Sequence, residues 1–244
     1  MQKRGTLNRR EPFFDITGVL RTFGSFGNAK LADWPRQELE ENAATLLQLD
    51  LTFRAGENAK LIRFGLEVSA AGLKGFLWDT KEAPGVLTPV RAAHCHERFC
   101  EEWCSPCVVK EVLKRTKFLK LAFDIDCSPH LKKKTSGLFL WTHHRAGVHD
   151  SLGSNAVSNK VKRVLQRAGV SKDWTTHLLR GLSPSKAINM GWPWLASLLR
   201  GRWSASSDTF EKSYYRRTLY LETSPDNAKL PFEVVIRLNE TRLL

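Results

Sequence analysis

Apolar positions fall into a helical period once the chain enters WPRQELEENAATLLQLDLTF, residues 34–53. Ala43, Leu46, Leu47 and Leu51 follow an acidic opening with Asp33 as capping residue, and the spacing predicts an amphipathic helix. LIRFGLEVSAA and LKGFLWDTKEAPGVLTPVRAA then alternate apolar and aromatic residues between Gly, Pro and Asp. They predict a small antiparallel sheet with a hairpin turn near Glu82–Gly85. SPCVVKEVLKRTKFL reads as a helix, DIDCSPHLKKKTS as an exposed basic loop, and GLFLWTHH as a short apolar core segment. In SNAVSNKVKRVLQRAGV, Val157, Val161, Val164 and Leu165 share a helix face, with Ser154 or Asn155 as N-cap and Gly169 as C-cap. Trp192 and Trp194, around Pro193, read as core residues. Residues 1–32 lack clear periodicity and read as a linker or the remnant of a longer region. Residues 221–244, with the strand-like FEVVIRL, read as a tail that packs on the domain or exchanges with a partner molecule. No internal repeat or low-complexity tract interrupts the 33–220 body.

Charge changes the picture most. The 244 residues carry a net charge of +13 while the apolar share, 42%, and the charged share, 26%, are ordinary for a globular chain. Such an excess favours a polyanion, nucleic acid before membrane, although a basic surface kept for solubility is the plain alternative. No apolar run approaches membrane-spanning length, and MQKRGTLNRREPFF lacks a signal-peptide core. Five cysteines are an odd number for a disulfide framework, so a reducing compartment is expected. That means the nucleus if the source is eukaryotic, with Lys3-Arg4 and Arg9-Arg10 as a weak import signal, and otherwise the cytoplasm.

HCHERFCEEWCSPC, residues 94–107, concentrates two histidines and four cysteines. Cys104-x-x-Cys107 with Cys100 or His96 has the makings of a zinc site, but a second, well-separated ligand pair is missing. The expectation is structural cysteines and no metal. His143, His144 and His149 have no spacing partner.

The chemistry concentrates in residues 175–216, TTHLLRGLSPSKAINMGWPWLASLLRGRWSASSDTFEKSYYR. His177 and Arg180, three positions apart, share a helix face, where a cation beside a histidine suits an oxyanion or a phosphate. A tyrosine hydroxyl nearby is a nucleophile for such a group. This ordered set, His-x-x-Arg, Gly-Arg-Trp and a tyrosine pair, resembles the C-terminal half of a tyrosine recombinase catalytic domain. The wording GRW…TFEKSYYR looks most like Crypton and DIRS mobile-element recombinases.

The resemblance covers roughly residues 35–217 and implies an α+β, mainly α fold, the tyrosine recombinase catalytic domain with its small antiparallel sheet. It implies Arg54, Lys81, His177, Arg180, Trp203 and Tyr214 as catalytic residues, with Glu57 orienting Arg54. Lys74 is the spare lysine and Tyr215 the rival tyrosine. Each has a bland reading beside it: an i,i+3 ion pair for Arg54 and Glu57, a turn lysine, a packing tryptophan. Lys160, Lys162, Arg163 and Arg167 form a basic helix stripe which, with Arg202, is expected to meet DNA or else to be a solvated face. Pro184 lies within the His-x-x-Arg helix and predicts a break, with Ser183 capping a second piece.

The implied activity is DNA strand cleavage and rejoining through a 3′-phosphotyrosine bond, without cofactor, small-molecule substrate or membrane. The partners are double-stranded DNA and other recombinase protomers. The family places a helical core-binding domain ahead of this one, and the residues before Asp33 are too few to supply it. A fragment, a shortened copy or a partner-dependent protein is expected. A DNA-binding derivative without catalysis and a type IB topoisomerase-like enzyme remain open.

Overall fold

The computed structural model describes Val19 and residues 30–94, 101–122, 125–126, 134–140, 147–170, 172, 175–189, 191–206 and 208–215. Cys95, His96, Cys100, His143, His144, Arg216, Arg217 and the tail 221–244 lie outside the described residues.

Helix α1 (Arg36–Asp50) is the hub. Pro35 stands at its N-cap, where a missing N–H matters least. The expected Asp33 cap is corrected: Asp33 closes a 3₁₀ turn, Leu31–Asp33, and the helix begins after the proline. The expected one-sided stripe is corrected too, because every residue from Leu39 to Asp50 is buried. Helices α3 (Ser105–Arg115), α4 (Ser154–Arg167) and α5 (Leu179–Asn189) pack around it.

Polar side chains inside such a cluster need partners; Glu40 and Glu41 find theirs on α1 itself and on α4, whereas the Asn42 amide is buried without one among the described residues. Glu40 pairs with Arg36 and Lys160, both at 2.8 Å. Glu41 accepts hydrogen bonds from Gln37 at 3.0 Å, Arg163 at 2.5 Å and Arg167 at 2.6 Å. Burial would push the Glu41 carboxyl up, but these donors outweigh it and hold the group below its ordinary range.

Short helix α2 (Ala55–Ala59) leads into the sheet, β1 (Leu61–Ser69), β2 (Gly72–Trp78) and β3 (Leu87–Ala92), antiparallel in that order. The β1–β2 register slips between Ile62 and Glu67, as a bulge does. The β2–β3 turn, residues 79–86, contains the expected hairpin turn. On the other edge of β1, Arg63 N–H donates to Ser136 O at 2.9 Å and Leu138 N–H donates to Leu61 O at 2.8 Å. The apolar segment Leu138–Leu140 is therefore core, as expected. The loop read before it instead contributes the paired β4 (Ile125–Asp126) and β5 (Lys134–Thr135), and Thr135 and Ser136 are buried.

Helix α4 begins one residue after Gly153, so neither Ser154 nor Asn155 is the cap. Gly169 does close it, with its N–H on Gln166 O and Val170 N–H on Leu165 O. Helix α5 runs unbroken through Pro184, against expectation. Proline withholds one N–H near the helix start, and burial holds the rest. Leu179, Leu182 and Ala187 sit in the core, and Ser183 Oγ donates to Leu49 O at 2.5 Å. Trp192 is core as expected, whereas Trp194, at the head of α6 (Trp194–Arg200), is 38% exposed. Helix α7 (Thr209–Ser213) then delivers the tyrosine pair. Among the described residues no helix is long and apolar enough to cross a membrane.

Candidate active site

The C-terminal end of α1 holds the candidate site together. Gln48 Nε2 donates to Thr176 O at 2.9 Å and so fixes the 3₁₀ turn Thr176–Leu178 that carries His177. Arg200 donates to Asp50 Oδ1 at 2.8 Å and to Asp50 O at 2.6 Å, anchoring the loop ahead of Trp203. Thr52 Oγ1 adds a bond to Arg200 O at 3.1 Å. Arg54 follows four residues after Asp50 as the N-cap of α2, so one helix end positions both halves of the site.

Glu57 is buried and does two jobs. Its Oε2 accepts from the Arg54 backbone N–H at 2.6 Å and its Oε1 from Arg54 Nη1 at 3.1 Å. Arg202 Nη2 donates to the same carboxylate at 2.8 Å, while the Arg202 guanidinium lies over the Phe53 ring at 5.2 Å. Arg202, read as a DNA contact, thus faces inward and braces Glu57.

Arg180 is fully buried, and its Nη2 donates to Gly201 O at 2.5 Å. Its guanidinium lies 4.5 Å from the centroid of the Trp203 ring. The Arg180 Nε and Nη1 are buried without a hydrogen-bond partner. Burial and the nearby Arg54 charge lower Arg180 to about 10, so it stays cationic at neutral pH. A buried cation with open donors is costly unless an anion completes it.

Tyr214 stands against this cation. Its hydroxyl lies 2.9 Å from His177 Nε2, and its ring packs on Trp203 with centroids 5.2 Å apart. Burial, Arg180 and Arg54 together depress the His177 imidazole below its ordinary value, which keeps it neutral and able to accept a proton. Tyr215 turns elsewhere, edge-on to Trp194 at 5.0 Å and near Phe210 at 6.0 Å.

Two glycines permit this arrangement. A Cβ on Gly181 would lie 2.8 Å from Tyr214 O and 2.9 Å from Tyr214 Cβ. A Cβ on Gly201 would lie 1.5 Å from the Trp203 ring and evict it.

Sequence reasoning missed Glu82. From the β2–β3 turn its carboxylate reaches Arg54 Nη1, so it occupies the open side of that guanidinium. No motif marks it, because only the turn geometry brings it there. Lys81, one residue before, is exposed and makes no described contact with the other candidates. Lys74 is ion-paired with Glu67 across the β1–β2 ladder at 2.8 Å. On α4, Lys160 is buried on Glu40, Arg163 and Arg167 hold Glu41, and Lys162 is exposed. Only Lys160 of the expected stripe is therefore buried; Arg163 and Arg167 stay solvent-exposed while they pair with Glu41, beside the exposed Lys162.

No protein-family model matches this chain, and no curated protein matches its sequence. Among solved structures it is similar to the XerH site-specific recombinase bound to palindromic difH substrate in a post-cleavage complex. That alignment has TM-score 0.55 and 11% identity over 99% of this chain and 54% of that one. It is also similar to XerA recombinase, with TM-score 0.55 and 13% identity over 99% of this chain and 66% of that one. The chain spans about half the length of XerH and about two thirds of XerA. Its fold is the tyrosine recombinase catalytic-domain fold, mainly helical with a small antiparallel sheet.

Proposed function

We propose that this chain cleaves and rejoins DNA strands through a covalent bond from Tyr214 to a 3′-phosphate. The observation that carries the reading is the buried Arg180 with two open donors, set beside the Tyr214–His177 hydrogen bond. An in-line attack at phosphorus spreads charge over the non-bridging oxygens, and Arg180 and Arg54 are the cations able to meet it. The Tyr214 oxygen bonds to phosphorus as the bond to the 5′-oxygen breaks. The tyrosine proton passes to His177 Nε2. Lys81, exposed on the β2–β3 turn, protonates the leaving oxygen once DNA draws its long side chain inward. Attack of a 5′-hydroxyl on the phosphotyrosine reverses these steps, so the energy of the phosphodiester is conserved.

Site-specific exchange extends the same reading. The net charge of +13 supports duplex DNA as partner. The likeness to a recombinase on a palindromic substrate supports two-fold-related copies of this chain on the site. The mobile-element origin rests on the wording GRW…TFEKSYYR.

The test is covalent trapping on a library of random nicked duplexes whose cleaved end is lost by diffusion. The wild-type chain is expected to form a denaturant-resistant adduct that Tyr215→Phe retains and Tyr214→Phe abolishes. An adduct that survives Tyr214→Phe, or a wild-type chain that binds the library without any adduct, overturns the reading. Relaxation of supercoiled plasmid with no defined site would point to a topoisomerase instead.

A further inference from the structure

We propose that His94, Cys104 and Cys107 form a zinc site that clamps the end of β3 to the start of α3. The three residues each offer a ligand atom, and these atoms all lie within 4.8 Å of one another. His94 Nδ1 is 3.4 Å from Cys104 Sγ and 3.6 Å from Cys107 Sγ. A tetrahedral zinc with Zn–S of about 2.3 Å and Zn–N of about 2.05 Å sets its sulfur and nitrogen ligands roughly 3.5–3.6 Å apart. The two observed N–S separations match that edge, and the sulfurs themselves lie within 4.8 Å of each other.

The imidazole is already turned for the purpose. His94 Nε2 lies 2.8 Å from Ser69 O, and a carbonyl only accepts, so Nε2 carries the proton. In the neutral ring the Nδ1 lone pair then faces the two sulfurs. An outer hydrogen bond to a carbonyl is the usual way a zinc-bound histidine is oriented. Both sulfurs converge on that lone pair, and Cys107 also hydrogen-bonds to Cys104. A shared cation satisfies all three atoms at once. Neither cysteine is in a disulfide.

Local structure supplies the sulfurs. Cys104 is the N-cap of α3 and Cys107 lies in its first turn, so the Cys-x-x-Cys spacing presents both toward the strand end. Two thiolates and an imidazole select zinc over magnesium or calcium. The expectation of metal-free cysteines rested on the absence of a second, well-separated ligand pair; the fold instead turns His94, just past the end of β3 and within the same segment, onto both sulfurs.

The clamp has a structural consequence. Next to Cys104, Ser105 Oγ donates to Asp50 Oδ2 at 2.6 Å, and Asp50 holds Arg200 on the loop before Trp203. A metal at this point ties the sheet to the helix start that braces that loop. The inference does not depend on the recombinase reading.

Elemental analysis of the purified full chain, without added metal, is expected to find one zinc per chain. Cobalt exchanged into the apo-chain is expected to give tetrahedral visible bands with thiolate-to-metal charge transfer. Cys107→Ser is expected to weaken that charge transfer, and Cys104→Ser with His94→Ala to lower bound zinc at least tenfold. The cobalt spectrum of the wild-type chain decides the question even if the variants misfold. A chain with no zinc and no cobalt–thiolate band overturns the proposal. So does a Cys104–Cys107 disulfide in the freshly purified chain, or zinc that persists undiminished in a folded Cys104→Ser/Cys107→Ser variant.

Discussion

At the scale of single residues, the site is defined by one cation that the fold leaves incomplete. Arg180 gives Nη2 to Gly201 O and its face to Trp203, and keeps Nε and Nη1 open in a buried setting. Its charge and that of Arg54 also depress His177, whose ordinary value is 6.5. A histidine with a lowered pKa is neutral in the fold at pH values where the unfolded chain begins to protonate. Both proton acceptance from Tyr214 and the stability tied to a neutral ring therefore persist at neutral pH, and are lost as the pH falls below 6.5 through the depressed value. Single-turnover adduct formation across a pH series should be flat near neutrality and fall on the acid side. His177→Gln, which keeps a polar group without titrating, should be slower by about 10²–10⁴-fold and should lose that acid limb. An unchanged acid limb in the variant would remove His177 from the proton transfer. Glu82 belongs to this scale as well: its carboxylate sits on Arg54, where an incoming phosphate would compete with it.

At the scale of elements, the site residues hang on short, constrained segments. Thr52, Asp79 and Arg202 are non-glycine residues with φ of 52°, 51° and 55°. They stand two residues before Arg54, two before Lys81 and one before Trp203. A left-handed conformation of this kind costs about 1–3 kcal/mol, more for a β-branched threonine, and persists only where packing demands it. Thr52 is held by its bond to Arg200 O, and Arg202 by its bond to Glu57. Helix α5 completes the arrangement by carrying Arg180 inward while Gly181 lets the Tyr214 backbone approach, helped by Ser185 Oγ on Tyr214 O at 3.2 Å. Gly181→Ala improves helix propensity yet inserts a methyl group against backbone atoms that cannot yield cheaply. We expect it to shift Tyr214 away from His177 and lower the adduct rate at least about 10²-fold, a loss of the size a 1 Å misplacement brings. Thermal unfolding should show α5 and the core intact. Wild-type adduct rates in that variant would show that the contact does not set the tyrosine.

At the scale of the whole molecule, α1 distributes order to everything around it. Its apolar residues join the main core, and its carboxylates recruit Lys160, Arg163, Arg167 and Arg200. Of the α4 cations only Lys160 is buried, and Lys162, Arg163 and Arg167 keep their charge at the surface. Glu41 shows the stability side of the same design. Its folded pKa lies below the ordinary 4.5, so its contribution is complete above that value and disappears as the pH falls through the lowered one. Glu41→Gln should cost about 1.5–3 kcal/mol at neutral pH, as the loss of hydrogen bonds to a charged group does. Its urea midpoint should also depend less on pH than that of the wild type below 4.5. An equal acid slope in both proteins would assign the pH dependence to other carboxylates.

What the sequence determined by itself is whatever depends on neighbours along the chain. The 3.6-residue period placed helices within 154–170 and 105–119, where the structure has them over 154–167 and 105–115, alternation and turn residues placed the hairpin, and Gly169 marked a helix end. The pairing of His177 with Arg180 was legible for the same reason, since positions three apart on a helix share a face, whereas Trp203 and Tyr214 were implied by the resemblance to tyrosine recombinases. What only the tertiary structure decided depends on partners far away in sequence. It buried α1 on every side by giving Glu40, Glu41 and Asp50 cations from α4 or α6, and it turned Lys160 and Arg202 inward. It carried α5 through Pro184 on the strength of its buried face, and it set Glu82 on Arg54 across a hairpin. Each of these is a choice between water and a distant partner, and a linear pattern holds no record of which partner the closed chain supplies.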